Sequence, residues 1–248
     1  MPKIFEVGGK VRDELLGLKS KDADFAFVLT PEEAAGKSID QAFEFMRDWM
    51  QEMGFRIFLC TPDCLTIRAR FFHSNQTADF VLARRELNYM PGTRRPIVVP
   101  GSLEDDLQRR DFTVNAIART ESGALVDLFE GQKDLSDKVL RTPLDPMVTL
   151  ADDPLRALRA VRFSVKLGFR MAPDLAEALH NPELPELMAV VSTDGLRPTG
   201  GHRIRDELAK AMKVDTWATL KLLQQLPEAL ARDWLERPGM WLMPTVKS

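Results

Sequence analysis

The chain has 248 residues, 44% hydrophobic and 29% charged, which provides for one large domain or two modest ones and excludes global disorder. A formal net charge of −3 argues against a protein coated in positive charge for non-specific nucleic-acid binding, yet leaves room for local basic patches. No apolar run approaches the roughly 20 residues of a membrane helix, and MPKIFEV lacks the basic and apolar regions of a secretory signal, so a cytoplasmic protein with no membrane partner is expected.

Residues 4–7 form a short apolar strand that breaks at Gly8-Gly9 and restarts as a helical turn, leaving backbone N–H groups free to receive an anion. A second strand over 22–29 opens with Asp22-Ala23-Asp24. Side chains at i and i+2 of a strand share a face, so the two carboxylates project together and repel unless a cation lies between them. Hard Mg²⁺ takes a few carboxylates plus phosphate oxygens. A phosphate cradle beside paired aspartates points to metal-assisted phosphoryl or nucleotidyl transfer.

A helix over 39–53 follows, capped by Ser38 with Gln41 and stopped by Gly54. Its stripe of Ala42, Phe43, Met46, Trp49, Met50 and Met53 is core packing. Three β-type runs come next, at 55–60, 64–71 and 77–84, the last two joined by a hairpin loop; with the first two strands they predict a mixed sheet carrying helices. Cys60 and Cys64, with three scattered histidines, make no zinc site and are expected to be buried or half-buried thiols. Residues 87–102, rich in Pro, Gly and Arg, predict a long ordered or switching loop, and 125–135 a short strand and a turn. Beyond Leu140 no strand is expected and helices run to about residue 235. The fold class is therefore an α/β head over 1–141, an all-α neck over 142–212 and a short helical remnant over 213–248, in which Trp217, Leu220, Leu223 and Leu226 make one helix.

Three further clusters carry chemistry. Asp79 sits mid-strand among apolar residues, where a carboxylate is costly unless it binds something; an exposed strand position explains it too, and the Asp22/Asp24 pair favours the catalytic role. In residues 101–118, Glu104, Asp105 and Asp106 suit a helix start with salt-bridging arginines, whereas Arg110-Asp111 suits bidentate phosphate binding by a guanidinium that a carboxylate holds in place, and Asn115 suits a ribose hydroxyl. In residues 152–169, Asp153 before Pro154 is a natural N-cap, and Arg156, Arg159, Arg162 and Lys166 recur along one side of a helix whose remaining circumference is largely apolar. Such a helix is buried, and its arginines need anions.

Four ordered motifs, GGKVRDELLG with the following DAD, RRDFTVNAIA, DPLRALRAVRF and RIRDELAKAM, resemble those of the class II tRNA nucleotidyltransferases (CCA-adding enzymes) and bacterial poly(A) polymerases. The resemblance covers roughly residues 4–212 and implies a polymerase-β-like head followed by a helical neck. Asp22 and Asp24 match the family's metal-binding pair, Asp79 an acidic residue on a neighbouring strand and Arg84 the arginine after it. Gly8, Gly9, Arg12, Arg110, Asp111 and Asn115 fall in motifs that handle the incoming nucleotide. Asp153 and Arg156 match a protein-borne template that pairs with the edge of the incoming base, with Arg159 and Arg162 further along the same motif. The chain departs from the pattern at His202, where many members have Glu, and in the short stretch after the neck, which makes it resemble a minimal member without most of the tRNA-gripping body and tail.

The resemblance implies addition of CMP and/or AMP from CTP and ATP to tRNA 3′ ends with two Mg²⁺ ions, Asp79 serving as ligand or base. A poly(A) polymerase acting on RNA 3′ ends is the alternative enzyme, and a non-catalytic nucleotide- or RNA-binding module the alternative of another class. Trp234, Leu235, Met240, Trp241, Leu242 and Met243 make an apolar end that either seats a second copy of the chain or packs back on the neck.

Overall fold

The computed structural model describes residues 1–20, 23–71, 76–89, 96–189, 200–237 and 240. The chain forms two compact units that part between Leu135 and Ser136. The first contains β1 (Lys3–Val7), α1 (Gly9–Leu15), β2 (Ala23–Val28), α2 (Pro31–Ala34), α3 (Ile39–Glu52), β3 (Arg56–Thr61), β4 (Thr66–Arg70), β5 (Thr77–Leu82), β6 (Arg84–Tyr89), β7 (Pro96–Pro100), α4 (Leu103–Gln108), β8 (Ile117–Arg119) and β9 (Leu125–Asp127). Seven strands make one mixed sheet in the order β3-β4-β5-β2-β1-β8-β9. Only β2 and β5 run parallel within it; the other neighbours are antiparallel.

Strand alternation divides the sheet into two faces. Ala23, Phe25 and Phe27 of β2 and Ala78, Phe80 and Leu82 of β5 point to one side, where Ala42, Phe43, Met46 and Met50 of α3 close the core. Phe25, Phe55, Phe71 and Phe80 cluster there with ring centroids 5.0 to 5.4 Å apart. Ser38 and Gln41 make the expected reciprocal cap of α3. The opposite face packs Val7, Ala26, Ala116 and Ala118 against Leu107 of α4, and it also carries Asp24 of β2 and Thr77 and Asp79 of β5.

Helix α5 (Gly131–Asp137) belongs to the first unit up to Leu135; the second unit then holds β10 (Val139–Leu140), α6 (Pro146–Asp152), α7 (Leu155–Leu167), β11 (Arg170–Met171), α8 (Pro173–Leu179), α9 (Leu184–Ala189), α10 (Gly201–Val214), α11 (Thr216–Gln225) and α12 (Glu228–Glu236). Helix α7 packs on α10 and α11, and Gly168 in the left-handed region ends it. Among the described residues, no helix is long and apolar enough to cross a membrane.

Several expectations are corrected. The stretch expected to be one loop over 87–102 lies largely in the antiparallel ribbon β6–β7, with residues 90–95 outside the described residues; prolines at 96 and 100 suit a two-stranded ribbon because it is all edge. The turn expected after β9 continues as α5, nucleated by Asp127, whose carboxylate accepts from the Gly131 and Gln132 amides. A strand does follow Leu140: β11 pairs in parallel with β10. Both cysteines are exposed, because β3 is the outer strand of the sheet and Cys64 lies in the turn after it. Trp234 and Met240 are buried within the second unit, so the apolar end packs back at these residues; 241–243 lie outside the described residues.

Gly101 marks where the ribbon meets the sheet. Its amide donates to the Ala83 carbonyl at 2.9 Å, and a Cβ on it would stand 2.4 Å from the Arg84 carbonyl carbon and 2.6 Å from the Arg85 nitrogen. Backbone cannot yield as a side-chain tip does, so Gly101→Ala is expected to destabilise the protein by about 3 kcal/mol in urea unfolding; an unchanged midpoint would contradict this packing.

Candidate active site

Asp24 and Asp79 are register partners on the parallel pair β2–β5, about 4.8 Å apart at the backbone, so both side chains leave the face opposite the aromatic core. With Ala23, Thr77, Ala78 and Arg68 they line an open pocket of about 510 Å³. Asp22 lies outside the described residues. Arg68, the register partner of Asp79 on β4, donates through Nε and Nη2 to the two Asp79 oxygens at 2.7 Å each. This fork was not legible in the sequence, since only the strand register brings position 68 to position 79.

Gly8 closes the other side. It adopts φ +77°, where L side chains are strained, and a Cβ there would lie 3.0 Å from Arg110 Nη1 and 3.8 Å from Asp24 Oδ2. The bend at the β1–α1 junction therefore brings backbone, one guanidinium and one carboxylate together. Gly9 stands beside Arg12 in the same way, 3.5 Å from a Cβ position to Nη2.

Arg110 is held from beneath by Asp106, a side chain with no exposed surface. Asp106 accepts from Arg110 Nη2 at 2.7 Å and from Arg109 Nη2 at 2.6 Å. Burial by itself pushes this carboxyl up; the charges and hydrogen bonds of Arg110 and Arg109 outweigh it and hold the group at about 2. The neighbouring Arg84 is lowered, first by burial and then by the charge of Arg109, with Glu86 at 3.2 Å acting against both. The acidic trio 104–106 thus does start a helix with salt-bridging arginines: Asp105 forms a capping box with Ser102, and Asp106 bridges to the i+3 and i+4 arginines. That spacing was the available signal for Asp106.

A second network lies beside it. Buried Arg12 donates to Asp13 through Nε at 2.7 Å and to Asn115 Oδ1 through Nη1 at 2.5 Å; Asn115 Nδ2 donates to Asp111 Oδ1 at 2.7 Å, which also accepts from the Phe112 amide. Arg12 and Asn115, expected at the nucleotide, are engaged here in tying α1 to the turn before β8.

In the second unit, Pro154 takes the N-cap position of α7 that was expected of Asp153; Asp153 stands one residue earlier, at the end of α6, where its Oδ1 accepts from the Leu155 amide at 3.2 Å and its Oδ2 from Arg203 at 3.2 Å. Arg156 donates to the Thr149 carbonyl at 3.0 Å. Arg159 and Arg162 lie over the Phe163 ring at 5.6 and 4.1 Å. The anion expected for Arg162 is internal: Glu207 of α10 accepts from its Nε at 2.5 Å and from Lys210 at 3.0 Å. Burial pushes Glu207 up, and Arg162 with Lys210 brings it below the usual carboxylate range.

Among the described residues no three histidine, cysteine or acidic side chains cluster as a metal site. The donors at the bend nevertheless suit a hard divalent cation: oxygen ligands only, with Asp24 and Asp79 in register and Asp24 facing the space that the missing Gly8 side chain leaves.

A family model described as the Poly A polymerase head domain matches residues 4–141. The chain belongs to that family, and its first unit is a polymerase-β-like head. It is 35% identical over 214 residues to the multifunctional CCA protein of Nitrosomonas europaea, covering 85% of this chain and 44% of that relative. It is 35% identical over 184 residues to poly(A) polymerase I of Escherichia coli, covering 73% of this chain and 37% of that relative, so the chain spans less than half the length of either. A solved tRNA nucleotidyltransferase complexed with a primer tRNA and an incoming ATP analog superposes with a TM-score of 0.65 at 28% identity, over 98% of this chain and 61% of the other.

Asp106 sets an acid limit. Its folded pKa lies below the ordinary aspartate value of about 3.9, so its contribution is complete above about pH 4 and is lost as pH falls towards 2, with a magnitude of about 2 kcal/mol. Asp106→Ala is expected to remove that acid dependence and, by taking away the carboxylate that Arg109 and Arg110 share, to destabilise the protein by about 3 kcal/mol at neutral pH, measured by urea unfolding across the pH range.

Proposed function

We propose that the chain is a template-independent RNA nucleotidyltransferase that adds CMP and/or AMP from CTP and ATP to tRNA 3′ ends in the cytoplasm. One observation carries the reading: Asp24, Arg110 and the backbone of Gly8 meet at one bend, with Asp79 in register beside Asp24. Arg110 and the bend hold the triphosphate, and Arg84 adds positive charge nearby. Asp79 accepts the proton of the RNA 3′-hydroxyl, which requires Arg68 to release one of its oxygens. The hydroxyl oxygen bonds to the α-phosphorus as the bond to the β-phosphate oxygen breaks, and pyrophosphate leaves. Asp22 and Asp24 would hold magnesium, which in such sites neutralises charge on the attacking and leaving oxygens.

Asp153 and Arg156 are proposed to read the edge of the incoming base, an acceptor for an exocyclic amine beside a donor for ring nitrogen or carbonyl. In this role each exchanges a present partner, Arg203 for Asp153 and the Thr149 carbonyl for Arg156. The similarity to poly(A) polymerase I of Escherichia coli supports a second reading, polyadenylation of RNA.

Asp24→Ala is expected to lower incorporation of labelled CTP and ATP by at least about a thousandfold with the thermal melt unchanged; retained activity would remove the carboxylate assignment. Sizing products on tRNA that lacks its 3′ end separates the two substrates. Growth that stops after a few nucleotides is expected, whereas a long ladder with ATP alone identifies polyadenylation, and no product with any nucleotide identifies a non-catalytic module.

A further inference from the structure

The face that carries Asp24 and Asp79 continues across β4 to the outer strand β3. Register places Arg68 opposite Asp79, Arg70 two residues further along β4 on the same face, and Arg56 of β3 opposite Arg70. Like charges directly opposite each other destabilise a strand pair, and among the described residues no carboxylate offsets this one. Among the described residues neither Arg56 nor Arg70 has an ion pair, and Arg70 Nε is buried without a hydrogen-bond partner. Between them stands Phe58, at the irregularity in the β3–β4 register, 46% exposed on a sheet whose other phenylalanines are packed. Its ring centroid lies 5.2 Å from the Arg70 guanidinium carbon and 5.6 Å from that of Arg56. An exposed ring between two cations without counterions is complementary to a flexible polyanion that carries flat bases.

We propose that Arg56, Phe58 and Arg70 form the landing surface for the single-stranded 3′ end of the RNA, the ring stacking on a base and the two guanidiniums holding adjacent phosphates. The surface rests on the nucleotidyltransferase reading only for the direction of the strand, which runs from β3 past Arg68 towards Asp79. It is separate from the glycine bend and the arginines of α4, so it acts on RNA and leaves nucleotide affinity alone.

The test measures anisotropy of a short fluorescein-labelled single-stranded RNA, with ATP binding measured in parallel on the same full chain. Phe58→Ala is expected to weaken RNA binding about tenfold, Phe58→Trp to restore it, and neither to change ATP affinity. Arg56→Gln and Arg70→Gln are each expected to reduce the slope of log affinity against log salt by about 0.7. Should Phe58→Ala fail to melt cooperatively, Phe58→Leu and the two arginine variants decide in its place. Unchanged RNA affinity and salt slope in these variants, or no RNA binding by the unaltered protein, overturns the surface. RNA binding that depends on Phe58 in a protein that incorporates no nucleotide upholds the surface and overturns the enzymatic reading.

Discussion

The head depends on a carboxylate with no exposed surface. Asp106 brings two arginines of adjacent sequence to one anchor, and through Arg110 it sets what faces Gly8 and Asp24. Unpaired, a buried carboxylate would be costly; between two guanidiniums it is held ionised, and each arginine loses freedom it would otherwise keep. The anchor is rigid because α4 is fixed at its start by the Ser102–Asp105 box and on its buried side by Leu107. The Arg110 guanidinium is thereby presented beside Gly8 and Asp24 in one orientation.

The chemistry-bearing residues were legible where they follow local rules. The two-residue period of strands placed Asp24 and Asp79 on polar positions of their strands, Gly8 announced a bend, and the Ser38–Gln41 spacing announced a helix start. What depends on pairing between distant segments was not legible. Arg68 meets Asp79, Arg12 meets Asn115 and Arg162 meets Glu207 only once register and helix packing are set. Asn115 illustrates the cost of reasoning from residue type alone: an amide suited to a ribose hydroxyl suits a neighbouring arginine and aspartate as well. Composition misled in the ribbon β6–β7, where prolines stand on edge strands, and at Cys60, exposed because its strand is outermost.

The helical unit shows the same division. Pro154, following Asp153, placed the start of α7 from sequence to within a residue. The fate of its arginines was settled by α10, which contributes Glu207 to one and Arg203 to the carboxylate at the helix start. Charges that composition assigns to a ligand are in part paired within the unit: Arg162 with Glu207, Asp153 with Arg203 and Arg156 with the Thr149 carbonyl.

Strand β1 lies inside the sheet, between β2 and β8, and Arg12 finds its partner 103 residues later. During synthesis β1 and β2 exist well before β8, so one edge of β1 stays open until the segment around residue 117 has emerged from the ribosome. Such non-local closure slows folding and makes the nascent head a natural client for chaperones that shield unpaired strand edges.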